Sequence, residues 1–253
     1  EGRQRADATR QRVIARNDTV LWYVVDSPFS RFTEAIRSIK VAVDLNGAVK
    51  ENKIIGITSS LPNEGKSTVA ANFAQLIAHA GGRVLLVDLD FRNPSLSRSL
   101  APDAAGVVDI VSGKSVFANV AWIDAATNLT FLPAGAAPKL LHTSEIVASA
   151  ATKKFFDEAR AAYDYIVVDL APLAPVVDVR MTTSIIDSYV FVVEWGQTKI
   201  DVVERSLSDA PGVYDRLLGA VLNKADTSVL GRYEGYHGNY YHNKYYARYG
   251  YTE

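Results

Sequence analysis

The fold of this chain is decided by residues 53–69, which read KIIGITSSLPNEGKSTV. The apolar run Lys53–Thr58 predicts a strand that is covered on both faces of a sheet. A short loop of small and polar residues follows, and the residues from 66 to 80 then favour a helix. In this order of strand, loop and helix, backbone amides and the helix N-terminus can bind a phosphate group.

Residues 60–68, SLPNEGKST, match a Walker A phosphate-binding loop that begins with serine instead of glycine. Gly65 lets backbone amides approach phosphate oxygens, and Lys66 can bridge the β- and γ-phosphates. The hydroxyl of Ser67 can ligate Mg²⁺, and that of Thr68 can contact the α-phosphate. ATP or ADP with Mg²⁺ is therefore the expected cofactor. The predicted nucleotide contacts in the loop are Ser60, Asn63, Glu64, Gly65, Lys66, Ser67 and Thr68.

Two acidic motifs follow apolar strands further along the chain, LLVDLDFR at 85–92 and IVVDLAP at 166–172. Asp88 and Asp90 are two residues apart, so an extended backbone points both carboxylates to the same side. One can hold a metal-bound water, and the other can accept a proton from an incoming hydroxyl. Asp169 supplies a Walker B acid, although any one of these acids alone equally fits a solvated strand end or a helix cap.

These motifs give a set of predicted site residues in which some roles stay open. Asp90 is the preferred base, but Asp88 and Asp90 can exchange roles, and Arg92 either positions the acids or contacts a neighbouring subunit. The predicted catalytic residues are Lys66, Asp88, Asp90, Arg92 and Asp169. The predicted metal ligands, acting directly or through water, are Ser67, Asp88 and Asp169.

Strands and helices alternate along the body of the chain, which predicts an α/β fold with a doubly wound, mostly parallel sheet of the P-loop NTPase type. The predicted strands are Lys53–Thr58, Arg83–Asp88, Leu129–Pro133, Tyr165–Asp169, Tyr189–Val193 and Gly219–Asn223. The predicted helices are Ser30–Leu45 and the stretches 66–80, 143–162, 177–187 and 200–217.

Composition excludes several classes of function. The chain has 253 residues, of which 48% are hydrophobic and 22% charged, as in a globular domain. A formal charge of −1 disfavours general polyanion binding. The absence of cysteine excludes a disulfide scaffold, a cysteine nucleophile and a thiolate metal site.

Three regions are predicted along the chain. Residues 1–27 form a basic lead-in, either a solvated arm or a segment beside a membrane, and the folded domain spans residues 28–226. Residues 227–253 form a flexible tail, because between 231 and 253 the only aliphatic side chain is Ala247. The tail holds eight of the chain's 13 tyrosines, at positions 233, 236, 240, 241, 245, 246, 249 and 251.

The three motifs and the tail resemble the bacterial tyrosine kinases that regulate exopolysaccharide and capsule synthesis, over roughly residues 29–253. That family accepts serine at the first Walker A position. Its second motif, three aliphatic residues before Asp-x-Asp-x-Arg, is met by Asp88, Asp90 and Arg92. Its third, ending in Asp-x-x-Pro, is met by Asp169 and Pro172.

The resemblance implies an Mg-ATP-dependent autokinase whose phosphate acceptors are the tail residues Tyr233, Tyr236, Tyr240, Tyr241, Tyr245, Tyr246, Tyr249 and Tyr251. It also implies an adenine contact at Asn223 and a ring of identical chains, with an octamer as the candidate size. A Glu-x-x-Arg-x-x-Arg helix would build the ring, and here Glu34, Arg37 and Lys40 occupy those positions. From spacing alone, the same helix face reads as an ordinary solvated stripe.

The implied setting is the cytoplasmic face of a bacterial inner membrane. The implied partners are a membrane activator segment of the chain-length-determinant type within the same full-length chain, a phosphotyrosine phosphatase, and the machinery of polysaccharide synthesis and export.

The main alternative is a non-kinase P-loop ATPase of the positioning or partition type. Such ATPases carry a lysine directly after the first residue of the loop, where this chain has Leu61. The tyrosine tail has two other interpretations, a stacking platform for single-stranded nucleic acid and an interaction tail. The first needs a basic groove, whereas residues 231–253 hold three Arg or Lys against two Glu, so no nucleic-acid partner is expected.

Overall fold

The computed structural model describes residues 12–47, 52–135, 142–226 and 229. The eight tail tyrosines and the first eleven residues, with Arg3, Arg5 and Arg10, lie outside the described residues. The predicted flexible tail is therefore untested by the structure.

Seven strands of the described chain form one sheet in the order β3-β4-β2-β5-β1-β6-β7. Only β3 runs antiparallel to its neighbour, and the other pairs are parallel, which confirms the predicted doubly wound α/β fold. The strands are β1 Ile54–Ser59, β2 Val84–Asp88, β3 Trp122–Ile123, β4 Thr130–Leu132, β5 Tyr165–Asp169, β6 Ser188–Glu194 and β7 Leu217–Asn223. The two-residue β3 was not predicted from the sequence.

The helices differ more from the prediction than the strands do. They are α1 Tyr23–Asp26, α2 Arg31–Gly47, α3 Lys66–His79, α4 Ser95–Leu100, α5 Val107–Val111, α6 Phe117–Val120, α7 Thr143–Ala148, α8 Ala150–Ala162, α9 Ile200–Ser208 and α10 Pro211–Tyr214. Two 3-10 helices span Thr19–Trp22 and Asp178–Ser184. None of these helices in the described ranges is both long and apolar enough to cross a membrane.

Two predicted helices are divided for local reasons. The stretch 143–162 is interrupted at Ser149, whose extended backbone and side-chain hydrogen bond to the Thr152 amide cap the start of α8. The stretch 200–217 is interrupted before Pro211, which begins α10 because proline suits the first helical position. The stretch 177–187 is a 3-10 helix at 178–184.

Two hydrophobic layers cover the opposite faces of the sheet. Alternate residues of β2 divide between them: Leu86 packs in the layer with Phe73 of α3, and Leu85 packs in the layer with Phe156 of α8. Because both faces are covered, the central strands β1 and β2 are buried at every position, and most of their residues are apolar.

The lead-in is built into the first of these layers. Trp22 is fully buried and donates from Nε1 to Asp124 at 2.6 Å. Asn72 of α3 accepts from the Val24 amide at 3.0 Å and donates to the Val20 carbonyl at 2.8 Å. The expected solvated arm is therefore wrong for Ile14, Leu21, Trp22 and Val24, which are buried, whereas residues 15–20 are exposed.

The sheet order brings three loops together. Strand β5 lies between β1 and β2, with Asp169 opposite Ile57 on one side and opposite Asp88 on the other. The loops that follow these strands therefore meet at one edge of the sheet, where open α/β sheets bind ligands.

Trp22→Ala should lower the free energy of unfolding by about 3–5 kcal/mol, because it leaves a large cavity and removes one of the hydrogen bonds to Asp124. Val20→Ala, at a residue that is 52% exposed, is the matched control and should change it by about 0.5 kcal/mol or less. Urea unfolding measures both. Similar midpoints for the two variants would contradict the packing of the lead-in.

Candidate active site

The phosphate-binding loop occupies the six residues between β1 and α3. Its tight course requires positive φ at Asn63 (68°) and at Gly65 (94°), where glycine carries no steric cost. A Cβ on Gly65 would lie 2.0 Å from the side-chain amide nitrogen, Nδ2, of Asn223. Glycine is therefore required here both by the backbone angle and by close packing.

The side chain of Glu64 stabilises this loop through hydrogen bonds. It is buried and accepts hydrogen bonds from the Leu61 amide at 2.5 Å, the Glu194 amide at 3.2 Å and the Thr198 hydroxyl at 2.5 Å. Because both carboxylate oxygens are used in this way, only the backbone of Glu64 is left for a phosphate.

The last residue of β7 and the residue that follows it also hold the loop. Asn223 donates to the Glu64 carbonyl at 2.8 Å, and Lys224 donates to the Asn63 carbonyl at 2.7 Å while pairing with Glu194 at 3.1 Å. Asn223 thus supports the loop, and its expected contact with adenine stays a prediction. Lys224, which was not predicted, lines the cleft above the loop.

Lys66 joins the loop to the two acidic motifs. Its ammonium lies 2.9 Å from Asp90 Oδ2 and 3.5 Å from Asp169 Oδ1, and it donates to the Ser67 hydroxyl at 3.3 Å. Burial lowers the pKa of Lys66, but the carboxylates of Asp169 and Asp90 outweigh it, so the pKa is raised overall. Lys66 is therefore charged throughout the physiological range.

Asp88 and Asp90 have different surroundings. The carboxylate of Asp88 accepts hydrogen bonds from the Ser97 amide at 2.9 Å, the Ser97 hydroxyl at 2.7 Å and the Asp90 amide at 3.1 Å. Burial, with Asp169 beside it, raises the pKa of Asp88 to about 7. Asp90 is also fully buried and accepts a hydrogen bond from the Asn93 amide at 2.9 Å, but unlike Asp88 it lines the cleft.

Residues in and next to the cleft fit a magnesium–nucleotide. Asp169 Oδ2 and the Ser60 hydroxyl are buried without a hydrogen-bond partner, and the Ser67 hydroxyl lies beside Ser95 at 2.8 Å, Lys66 and the Asp169 carboxylate. In the described part of the chain, no three Asp, Glu or His side chains converge to hold a metal unaided. That pattern suits Mg²⁺, which binds one or two protein groups together with substrate phosphates.

Arg92 makes a contact that the sequence did not predict. Its guanidinium pairs with Asp178 through two hydrogen bonds of 3.1 and 3.2 Å, and Asp178 begins the 3-10 helix that follows β5. Arg92 therefore ties the loop after β2 to the loop after β5 instead of contacting Asp88 or Asp90.

The cleft between these loops has a volume of about 550 Å³, within the usual range for small-molecule sites. The phosphate-binding loop forms one side of it. The loops after β2 and β5 form the other side, through Arg92, Asn93, Ser95, Pro172, Pro175 and Val176.

The predicted interface residues lie together on α2, but their charges are engaged within the chain. Arg37 pairs with Glu34 at 3.1 Å and donates to the Pro28 carbonyl at 2.9 Å. Lys40 pairs with Asp44 at 2.5 Å and donates to the Tyr165 hydroxyl at 3.0 Å. Lys40 is thus part of the contact between α2 and β5, and a role of this face in assembly stays a prediction.

Comparisons with known proteins agree with this site. A family model described as an AAA domain matches residues 52–209. The tyrosine-protein kinase YwqD of Bacillus subtilis is 30% identical over 212 residues, which are 83% of this chain and 88% of that protein. The chain belongs to the family of bacterial tyrosine kinases. The resemblance found in the sequence motifs is thereby confirmed.

Two further relatives place this tyrosine kinase domain in its family. The succinoglycan biosynthesis transport protein ExoP of Rhizobium meliloti is 43% identical over 229 residues, which are 90% of this chain but only 29% of ExoP. The crystal structure of the chimerical protein CapA2B2 has a TM-score of 0.76 and 27% identity, and it covers 83% of this chain and 92% of that chain. The chain thus spans less than a third of ExoP.

Lys66→Met should abolish phosphoryl transfer and also destabilise the protein. The variant leaves Asp90 and Asp169 buried without their cation, and breaking a buried ion pair in this way costs about 3–5 kcal/mol. The raised pKa of Asp169 rises further without Lys66, so the loss is largest where wild-type Asp169 is ionised and shrinks as falling pH protonates it in both proteins.

Urea unfolding of wild type and variant between pH 5 and pH 8 measures this difference. Lys154→Met, at a lysine whose side chain is 78% exposed, is the matched control and should behave like wild type at every pH. Equal stability of Lys66→Met and wild type at pH 8 would contradict the ion-pair network.

Proposed function

We propose that this chain is an Mg-ATP-dependent protein-tyrosine autokinase that phosphorylates the tyrosines of its C-terminal tail. The observation that carries the proposal is the placement of Asp90 in the cleft, 2.9 Å from the Walker A lysine Lys66. A base and a phosphate-binding cation are thus adjacent, as transfer of a phosphoryl group to a hydroxyl requires.

The groups of the site have separate roles in this reaction. The N-terminus of α3 and Lys66 hold the phosphates of ATP and offset the charge of the transferring group. Ser67 and Asp169 would hold Mg²⁺, with Asp88 acting through water because its oxygens already accept hydrogen bonds. The metal neutralises phosphate charge when it is bound.

Asp90 would act on the acceptor. It orients the tyrosine hydroxyl and takes its proton as the oxygen bonds to the γ-phosphorus and the bond to the departing ADP breaks. Since Lys66 is bound to Asp90 and Asp169 within the protein, a γ-phosphate competes with those carboxylates for the ammonium. ATP binding therefore releases Asp90 to act as the base.

The tail is long enough for transfer between chains. Tyr251 is 25 residues beyond Asp226 and Tyr233 is seven residues beyond it. An extended chain of those lengths spans at most about 90 Å and about 25 Å respectively. We place the reaction in a closed ring of identical chains, in which the distal tyrosines reach a neighbour's active site while Tyr233 is more restricted.

The names of the relatives support a role in exopolysaccharide or capsule production. ExoP is named as a biosynthesis transport protein for succinoglycan, and it is much longer than this chain. We accordingly place the kinase at the cytoplasmic face of the inner membrane. There a membrane activator segment controls it, a phosphotyrosine phosphatase opposes it, and the polysaccharide machinery receives its signal.

Incubation with Mg-ATP followed by site-resolved phosphopeptide mass spectrometry tests the proposal. Wild type should carry phosphotyrosine between residues 233 and 251. Asp90→Asn should reduce the initial rate about 10²- to 10⁴-fold, the usual contribution of a general base, and should keep ADP affinity near wild type. Asp157→Asn, at an exposed aspartate of α8, is the control. Phosphate release without phosphotyrosine would instead favour the partition-type ATPase.

Transfer between chains has its own test. An Asp90→Asn chain, which keeps its tail, is mixed with an active chain whose eight tail tyrosines are all replaced by phenylalanine. Phosphotyrosine should appear on the Asp90→Asn tail, because the active chain has no tail acceptor of its own. If that tail stays unmodified while wild type alone is phosphorylated, transfer takes place within one chain.

A further inference from the structure

The phosphate-binding loop lines only part of the cleft. Since β5 lies between β1 and β2, the loops after β2 and β5 face each other beside the phosphate-binding loop. Phosphates bound to Lys66 and the start of α3 occupy the first side of the cleft. The second side, between Arg92 and the segment Pro172–Val176, is left for another group.

The wall formed by the loop after β5 is apolar and held in place. The Leu173 amide donates to the Ser59 carbonyl at 2.8 Å, and the Ala174 amide donates to the Ser60 carbonyl at 3.1 Å. These bonds fix the loop directly to the start of the phosphate-binding loop. Pro175 and Val176 then present an apolar surface to the cleft, and Pro175 is exposed there.

The adjoining wall, formed by the loop after β2, carries a fixed cation. The Arg92 side chain is 49% exposed although its two hydrogen bonds to Asp178 fix its direction. Hydrogen bonds made in the plane of a guanidinium leave its faces available for stacking on an aromatic ring. An apolar wall and a cation thus line the same part of the cleft.

The depth of the space selects for a long side chain. Asp90 lines the cleft but is itself fully buried, so an acceptor hydroxyl has to descend between the walls to reach it. A tyrosine ring carries its hydroxyl far from the main chain, whereas the hydroxyls of serine and threonine lie next to it. The walls are chemically suited to the ring that would lie between them.

We propose that Arg92, Pro175 and Val176 form a subsite for the ring of the acceptor tyrosine, and that this subsite gives the kinase its preference for tyrosine over serine and threonine. The inference rests on the proposed autokinase function and adds the residues that recognise the acceptor. Arg92 and the two apolar residues bind the ring, and Asp90 receives the hydroxyl proton.

The test uses the full chain as enzyme and a synthetic peptide of residues 231–253 as acceptor, with peptide phosphorylation followed by mass spectrometry. Pro175→Ala and Arg92→Ala should each raise KM for the peptide about three- to tenfold, the range expected for a ring contact. The affinity for ADP, measured by calorimetry, should stay near wild type. Val177→Ala is the matched control, since this neighbour is 53% exposed but does not line the cleft.

A second readout separates ring binding from a general structural effect. The same peptide with phenylalanine at all eight tyrosine positions should inhibit wild type competitively and better than a peptide with leucine at those positions. Pro175→Ala and Arg92→Ala should remove most of that advantage. A peptide with serine at the eight positions should not be phosphorylated by wild type.

The outcomes are distinguishable. If wild type phosphorylates the peptide and both variants keep its KM, the subsite is wrong while the autokinase proposal stands. Loss of ADP affinity in parallel with peptide affinity would place these residues at the nucleotide and overturn the subsite. If wild type forms no phosphotyrosine on its tail or on the peptide, the proposed function fails and the subsite fails with it.

Discussion

The site depends on the ammonium group of Lys66 between the carboxylates of Asp90 and Asp169. All three acids of the cluster, Asp88 included, are fully buried, and burial opposes their ionisation. One lysine from the phosphate-binding loop offsets part of that cost. Strand β5 lies between β1 and β2, and this order brings the three groups together. The electrostatics of the site therefore depend on the order of the strands.

The parts that the sequence predicted are those encoded within a short stretch of chain. Walker A residues, acids at strand ends and apolar strands each leave a short local pattern. The predicted strands are confirmed, and the structure places Asp88 and Asp169 at the ends of β2 and β5. Contacts between distant segments leave no such pattern. Arg92 and Asp178 are 86 residues apart, and Glu64 and Thr198 are 134 apart. Only the folded sheet shows that these pairs brace the cleft.

The lead-in illustrates a different limit. Arginines dominate the composition of residues 1–16. The composition of a segment does not show which of its side chains face the protein and which face solvent. Trp22 and Val24 are buried because α3 offers Asn72 as a partner for the backbone polar groups around them. Without that amide, burying this turn would leave backbone groups unsatisfied. Asn72 lies 48 residues from Val24 in the sequence. Neither segment alone shows that the Asn72 side chain bonds the backbone of the other.

The different surroundings of Asp88 and Asp90 also bear on the order of events. Asp88 accepts hydrogen bonds from Ser97 and the Asp90 amide, whereas Asp90 lines the cleft, accepts from the Asn93 amide and pairs with Lys66. On the proposed mechanism, only a ligand that competes for Lys66 frees Asp90, and a γ-phosphate is such a ligand. The base is then available when the phosphoryl donor is bound. In that mechanism, one ion pair links nucleotide binding to acceptor activation.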